Sequence, residues 1–181
     1  MSITADIRSL PDMARVWSGR TPNKAALIDG GRVVTYAQLN DRSNRFANTL
    51  AAAGIRPGSH VGFLGKNSAA FFEIWVGANK AGCALVPLNW RSAPAELVEV
   101  VQDARVPLIF AGRDFTELAE RVRQATGTAV QVIPEDELSS GFPVAAPQTR
   151  ALPCPTARPP CWAIRRVPPP PLRACRLPMA P

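Results

Sequence analysis

Histidine and paired cysteines are scarce in this sequence. His60 is the only histidine, and the four cysteines have neither C-x-x-C spacing nor a neighbouring histidine: Cys83, Cys154, Cys161 and Cys175. A zinc site or a disulfide framework needs such ligands or pairs, so the pattern argues against both and predicts no metal site. We therefore expect a reduced, cytoplasmic protein.

Long hydrophobic runs are also absent. The apolar residues near Met1 are interrupted by Asp6, Arg8, Asp12 and Arg15, before any run reaches the length of a signal-peptide core. No run is long enough to cross a membrane as a helix. The sequence thus predicts neither a secretion signal nor a transmembrane segment.

Acidic residues are missing from Pro143 onward. Twelve of the 19 prolines lie in this stretch, with six arginines: Arg150, Arg158, Arg165, Arg166, Arg173 and Arg176. The formal net charge of +7 therefore falls to about +1 for residues 1–142, which predicts no nucleic-acid partner for the folded part. Periodic patterns stop after Gly141, and Pro168–Pro171 suit polyproline II. We expect a folded domain over residues 1–141 and a disordered tail over residues 142–181.

Strand and helix patterns alternate in the first 141 residues. A hairpin is predicted over residues 26–36, because Asp29-Gly30-Gly31-Arg32 joins two β-prone runs with turn residues that tolerate positive φ. Apolar spacing predicts a helix from Tyr36 that Gly54 ends. The other predicted elements are strand 60–64, helix 69–80 with a stripe of Phe72, Trp75, Val76 and Asn79, strand 84–88, a helix opened by Ser92 and Pro94 that carries Leu97, Val100 and Val101, strand 107–111, helix 115–123 and strand 129–133. Such alternation predicts an α/β fold, a mostly parallel sheet with flanking helices.

Three local features invite a functional interpretation. Residues 62–68 (G-F-L-G-K-N-S) are similar to a phosphate loop, but G-x-x-x-x-G-K-[ST] needs glycine where His60 stands and Ser or Thr where Asn67 stands. A strand-to-helix turn is the simpler interpretation. His60 has no carboxylate or nucleophile at a spacing that would indicate a catalytic group, so we interpret it as a strand-entry residue rather than a catalytic base. Cys83 lies in an apolar run, and we interpret it as an inert core thiol. No catalytic, cofactor-binding or metal-binding residue is assigned.

Two segments resemble the AMP-forming acyl-CoA synthetases of the adenylate-forming, AMP-binding superfamily. Residues 34–39 (V-T-Y-A-Q-L) are similar to the T-Y-x-E-L segment of that family, and residues 79–89 (N-K-A-G-C-A-L-V-P-L-N) resemble its K-A-G-x-x-x-V-P-L-N segment. Their order and separation match the family, as does the preceding T-P-N-K-A-A at residues 21–26. Leu88-Asn89 is closer to acyl-CoA synthetases than to peptide-synthetase adenylation domains, where Ile-Asp is usual. The resemblance covers roughly residues 10–140.

The resemblance implies a ligase that joins a fatty or other carboxylic acid to CoA through an acyl-adenylate, using ATP and Mg. That chemistry needs a Gly/Ser/Thr-rich loop with a lysine, resembling Y-T-S-G-T-T-G-x-P-K-G, to hold phosphates through amide, hydroxyl and ammonium groups. The loop is absent here, as are the ribose-binding aspartate and the carboxy-terminal lysine of the family. We expect the amino-terminal piece of such a ligase, inactive alone and without a cofactor of its own.

The tail offers an explanation for the missing loop. When the codons for Cys161–Cys175 are read one base earlier, with third bases left free, they can encode L-G-Y-T-S-G-T-T-A-x-P-K-G-V. Only the glycine that precedes x-P-K-G in the family loop cannot be recovered, because Pro170 forces C as the middle base. We therefore predict that the tail is frameshifted coding sequence.

Two other functions remain open. The chain could be an interaction protein whose basic Pro-rich tail docks an aromatic groove or an acidic surface. It could also be a small nucleotide-binding α/β domain, although the lack of G-x-G-x-x-G counts against this. Self-association through exposed apolar surface is open as well.

Overall fold

The computed structural model describes residues 7–133. In this part the chain forms the helices α1 (Leu10–Arg20), α2 (Tyr36–Ala52), α3 (Ala69–Lys80), α4 (Pro94–Asp103) and α5 (Thr116–Thr126). The strands are β1 (Ala25–Asp29), β2 (Arg32–Thr35), β3 (His60–Leu64), β4 (Ala84–Leu88), β5 (Leu108–Gly112) and β6 (Ala129–Ile133). A short 3-10 helix, Arg113–Phe115, precedes α5.

Four strands form one parallel sheet in the order β4-β3-β5-β6. The chain moves from β3 to β4 at one edge and then returns across β3 to β5, so the winding direction reverses between β3 and β5. α2 and α3 pack on one face of the sheet, whereas α4 and α5 pack on the other. This is a doubly wound α/β unit, and it confirms the predicted α/β fold with a mostly parallel sheet.

The central strands bury side chains on both faces, as the strands of a covered parallel sheet do. In β5, Leu108 and Phe110 belong to the cluster under α2 and α3, and Ile109 and Ala111 belong to the cluster under α4 and α5. Gly62 in β3 leaves room for this packing, because a Cβ there would lie 3.0 Å from Ile109 Cγ1. The same strands therefore contribute side chains to the apolar clusters under both helical layers.

A further layer covers α2 and α3 from outside. β1 and β2 pair antiparallel, and the turn between them has positive φ at Gly30 and Gly31. Together with α1, this hairpin encloses an apolar cluster against α2 and α3: Ala14, Val34, Leu39, Ala69 and Val76. The hairpin predicted over residues 26–36 is confirmed.

The two segments that resemble acyl-CoA synthetases have structural roles. Thr35 and Gln38 form a reciprocal capping box at the start of α2, in which the Gln38 N–H donates to Thr35 Oγ1 and the Thr35 N–H donates to Gln38 Oε1. At the end of α3, Lys80 Nζ donates to the side-chain oxygens of Asn40 and Asn44, each at 2.7 Å. These contacts fix where α2 begins and how α3 lies against it.

Two details of the sequence prediction are wrong. Val100 lies on α4 with Leu97 and Val101, as predicted, but is 43% exposed. Ser92 does not cap α4, because Ala93 occupies the N-cap position and makes no side-chain hydrogen bond. The stripe expected on α3 includes two exposed rings, Phe72 and Trp75, since the helix turns other residues inward: Ala69, Glu73, Ile74, Val76, Gly77 and Ala78.

One helix was not predicted. Ser9 caps α1 by accepting the Asp12 N–H at 3.2 Å, and Pro11 lies in the first turn, both of which are helix-start signals. The expected disorder of residues 142–181 lies outside the described residues. No helix within residues 7–133 is long and apolar enough to cross a membrane.

Candidate functional site

An open groove lies at the carboxyl ends of β3 and β4. Its volume is about 720 Å³, and it is lined by the ends of both strands, the turns that follow them and Phe71 of α3. Ligands of doubly wound sheets bind outside the carboxyl ends of the strands, and one of the two strands here, β3, borders the point where the winding reverses. We therefore take this groove as the candidate site. A second depression, of about 320 Å³, is lined by α1 residues alone. It does not lie at the carboxyl ends of the strands.

Cationic and aromatic side chains meet beside the groove. The guanidinium carbon of Arg91 lies 4.1 Å from the centroid of the Trp90 ring, and the centroids of the Trp90 and Phe115 rings are 5.5 Å apart. Lys66 Nζ lies 5.9 Å from each of these ring centroids and 3.5 Å from Asp114 Oδ2. Two cations on an aromatic platform suit an anionic group carried by a flat or apolar body.

The parallel sheet brings these side chains together. Lys66 follows β3, Trp90 and Arg91 follow β4, and Phe115 follows β5. The turn after β4 is held by Asn89, whose Oδ1 accepts the backbone N–H of Arg91 at 3.2 Å, as in an Asx turn. Residues far apart in the chain therefore share one edge because parallel strands end on the same side.

The groove carries little reactive chemistry. Its lining residues include no carboxylate, histidine, cysteine, serine or threonine, so it holds neither a nucleophile with a base nor a carboxylate pair. Lys66 and Asp114 are both largely exposed, and solvent screens such a pair strongly. Within residues 7–133, no group of three His, Cys, Asp or Glu side chains is placed to hold a metal ion.

The segment similar to a phosphate loop is a strand-to-helix turn, as predicted. β3 ends at Leu64 and α3 begins at Ala69. Ser68 Oγ accepts the Phe71 N–H at 3.3 Å, and the carboxylate of Asp29 accepts the Ala69 N–H at 2.8 Å. Side-chain oxygens therefore occupy amides that a phosphate would need at this helix N-terminus.

The other two residues singled out from sequence also have structural surroundings. His60 is the first residue of β3, and its Nδ1 lies 2.6 Å from the carbonyl oxygen of Ala104. Cys83 is buried, and burial raises the pKa of its thiol above the usual value, which makes the reactive thiolate scarcer. The predicted positions, a histidine at a strand entry and a cysteine in the core, are confirmed.

Sequence reasoning missed three residues in and beside the groove. Trp90, Arg91 and Phe115 were not singled out, because each has an ordinary neighbourhood in sequence. The available signal was their position: each follows a predicted strand by two to four residues. In a parallel sheet that position leads to the ligand-binding edge.

Comparison with known proteins agrees with this architecture. The family model for AMP-binding enzymes matches residues 14–165. A fatty acid–[acyl-carrier-protein] ligase, ScoC of Streptomyces coeruleorubidus, is 38% identical over 114 residues, which are 63% of this chain and 22% of ScoC. A feruloyl-CoA synthase of an Amycolatopsis species is 35% identical over 120 residues, which are 66% of this chain and 24% of the synthase.

A solved structure shows the same fold. The crystal structure of the N-terminal domain of FACL13 from Mycobacterium tuberculosis superposes with a TM-score of 0.67 and 29% identity, over 82% of this chain and 39% of that one. The chain spans about a quarter of the length of the curated relatives that it matches. The family match covers most of the sequence, the fold superposes on a solved relative, and both resembling segments lie within the matched residues 14–165, so the chain belongs to the AMP-binding enzyme family.

Proposed function

We propose that this chain is the amino-terminal part of an AMP-forming acyl- or aryl-CoA ligase and has no ligase activity alone. The observation that carries the proposal is the groove itself, which has two cations and an aromatic platform but no reactive group. The reaction joins a carboxylate to the α-phosphorus of ATP with loss of pyrophosphate, and a thiol then displaces AMP. Neither step is supported by Lys66 and Arg91 alone, because charge develops on several phosphate oxygens at once.

The described residues do not replace the missing phosphate loop. A phosphate cradle needs several free backbone amides at one place. At the start of α3, the amides of Ala69 and Phe71 are bonded to Asp29 and Ser68. ATP, Mg and CoA are accordingly proposed for a ligase that contains the whole family domain, and no cofactor is proposed for these 181 residues.

We also propose that residues 142–181 are frameshifted coding sequence, with the folded domain ending near residue 141. The family-model match extends to residue 165, so the gene sequence decides where the reading frame changes. The gene tests this directly. T-A-T must read across the third base of the Ala163 codon and the first two bases of the Ile164 codon, and Arg173 must be encoded by A-G-R preceded by A. A C-G-N codon at Arg173 would refute the frameshift.

Pyrophosphate release tests the activity. We expect no release from ATP by the 181-residue chain with either a fatty acid or an aromatic acid. Inserting or deleting one base between about Ser139 and Cys154 should restore release, because the loop lysine and hydroxyls return. The restored chain with its loop lysine changed to alanine is the matched control and should lose release. Acid-dependent release by the 181 residues alone would contradict the proposal.

A second candidate function is an interaction protein, favoured by the basic Pro-rich composition after Pro143. Deleting residues 142–181 distinguishes it, because binding to a proline-recognising or acidic partner would then be lost. In either case we propose a cytoplasmic location and no nucleic-acid partner, since the first 142 residues carry a net charge of only about +1.

A further inference from the structure

We propose that the outer layer of the domain, residues 10–35, opens away from α2 and α3 as one unit while the parallel sheet stays folded, and that the buried carboxylate of Glu73 beneath this layer favours the open form. The outer layer consists of α1 and the β1–β2 hairpin. The inference does not depend on the proposed ligase, because it concerns contacts within this chain alone.

The hairpin adds no strand to the parallel sheet. Among the described strands, β1 pairs only with β2, and the two form a separate two-stranded sheet. An isolated two-stranded hairpin is at best marginally stable in water, so this hairpin depends on its contacts with α2 and α3. Opening of the outer layer therefore breaks no backbone hydrogen bond of the parallel sheet.

Few buried side chains hold the outer layer in place. Its buried apolar residues are Ala14, Val16 and Val34. Ile28 and Val33 of the hairpin are instead 75% and 53% exposed. Segments with few buried apolar contacts open at a lower free energy than the core of the same protein. The packing thus favours a separate opening of this layer.

The turn of the hairpin makes two polar contacts with α3. Asp29 and Arg32 face each other across the turn. The Asp29 carboxylate accepts the Ala69 N–H at 2.8 Å, and Arg32 Nη2 lies 3.9 Å from Glu73 Oε1. The second distance is too long for a hydrogen bond. The turn therefore grips α3 firmly at its first residue and only loosely one helical turn later.

Glu73 carries a buried charge. It is 1% exposed, and it is the one buried charged side chain within residues 7–133. Its Oε1 accepts a hydrogen bond from Arg42 Nη1 at 2.9 Å, whereas its Oε2 has no hydrogen-bond partner in this part of the chain. Burial raises the pKa of the Glu73 carboxyl, and Arg42 opposes the rise. A buried oxygen without a partner is costly, so contact with water would stabilise this carboxylate.

The outer layer covers the side of α3 that carries Glu73. Ala69 and Val76 belong to the apolar cluster that this layer encloses. Glu73 lies four residues after the first and three before the second, so the three side chains share one side of the helix. Opening therefore exposes two apolar side chains, which opposes it, and hydrates the Glu73 carboxylate, which favours it.

The base of the hairpin provides the hinge. The Tyr36 N–H donates to Lys24 O at 3.1 Å, and the Ala37 N–H donates to Pro22 O at 3.0 Å. These bonds attach residues 22–24 to the first turn of α2, which the capping box of Thr35 fixes. The tip of the hairpin and α1 can move away from α3 while these bonds stay intact.

Native-state hydrogen exchange of the 181-residue chain, followed by NMR, tests the inference. We expect the hydrogen-bonded amides of α1 and of the β1–β2 hairpin to share one protection factor. It should be at least about tenfold lower than that of the amides in β3 and β5. Equal protection in the outer layer and the sheet would overturn the inference, as would unrelated protection factors within the layer.

Two variants separate opening of the outer layer from global unfolding. Asp29→Ala removes a contact that only the closed form makes, so it should lower protection about fivefold in the layer and in the sheet alike. Ile109→Val is the matched control, because Ile109 is fully buried in β5 on the opposite face of the sheet. It should lower protection of the sheet about two- to tenfold and leave the layer within about twofold. Equal losses in both regions for Ile109→Val would contradict separate opening.

Glu73→Gln tests the role of the carboxylate. The amide has the same shape without the charge, and the side chains of Arg42 and Arg32 are 15% and 39% exposed, so both can still reach water. We expect protection of the outer layer near neutral pH to rise at least about twofold, because the closed form no longer buries a charge. Unchanged or lower protection would overturn this role. Circular dichroism of each variant checks that it is folded.

Discussion

The carboxylate of Asp29 accepts a hydrogen bond from the backbone N–H of Ala69 at 2.8 Å. This contact joins the end of β1 to the first residue of α3, across 40 positions of sequence. It places a negative charge at the positive end of the helix dipole. The hairpin therefore caps the helix that, in a phosphate loop, would meet the nucleotide.

Removing this tertiary cap should destabilise the domain. We expect Asp29→Ala to lower the free energy of unfolding by about 1 kcal/mol, the usual cost of losing a helix cap. Asp114→Ala is the matched control, because Asp114 makes an exposed ion pair with Lys66 at 3.5 Å, and such pairs contribute about 0–1 kcal/mol. Urea unfolding followed by circular dichroism measures both. Equal effects of the two variants would contradict the capping role.

Close packing of α2 on α3 depends on Gly77. A Cβ at this position would lie 2.7 Å from Phe46 Cδ1 and 2.8 Å from the carbonyl oxygen of Ser43. Because the carbonyl belongs to the backbone of α2, the helices must separate, and we expect Gly77→Ala to cost about 1–3 kcal/mol. Gly19→Ala in α1 meets nothing within 4 Å and should gain up to about 1 kcal/mol from helix propensity. Stabilisation by Gly77→Ala would refute the packing argument.

Arg105 holds a left-handed backbone conformation that glycine adopts at the ends of three other helices. Its φ is 50°, and α4 ends with the Arg105 N–H bonded to Gln102 O and the Val106 N–H bonded to Val101 O. Helices α2 and α3 end with the same pair of bonds, with glycine in the left-handed position: Gly54 and Gly82. A left-handed non-glycine residue costs roughly 1–2 kcal/mol.

We therefore expect Arg105→Gly to raise the free energy of unfolding by about 0.5–1 kcal/mol, after the greater freedom of glycine in the unfolded chain is subtracted. The reverse change, Gly54→Arg, should lower it, since no side-chain clash complicates that site. Thermal unfolding of both variants measures the two shifts. Shifts of the same sign would show that backbone conformation is not the cause.

Lys80 makes stability depend on pH. Burial lowers the pKa of Lys80 from 10.5 to about 8, and the nearby carboxylate of Asp41 offsets this in part. In the unfolded chain the pKa returns to its ordinary value, so between pH 8 and 10.5 the unfolded state binds more protons than the native state. The free energy of unfolding should then rise with pH over this window, and the gain should be lost as pH falls through 8.

Lys80→Met tests the assignment. This variant lacks the titrating amine, and we expect its free energy of unfolding to rise less than that of the unchanged chain between pH 8 and 10.5. Urea unfolding of both proteins at several pH values, with a reductant for Cys83, gives the comparison. Identical pH profiles would assign the dependence to other groups.

Much of this fold could be predicted from the sequence, because short local patterns indicate where its helices and strands begin and end. Helix 69–80 and strand 129–133 were predicted with the observed bounds, and alternation of strand and helix sufficed for a parallel sheet. Turn glycines such as Gly54 end helices through their own backbone freedom, which needs no distant partner. The family resemblance likewise rests on two short segments, one with a capping box and one with a helix stop. Both features are formed by residues close together in sequence.

Tertiary structure decided what local signals leave open. Periodicity shows that α3 is apolar but not which side is covered, so Phe72 and Trp75 were expected within the stripe and are exposed. The contact of Asp29 with Ala69 and the stacking of Arg91 on Trp90 beside Lys66 depend on where separate strands end. Burial and site geometry arise from residues distant in sequence, because the order of strands in the sheet, rather than any one segment, determines which side chains meet.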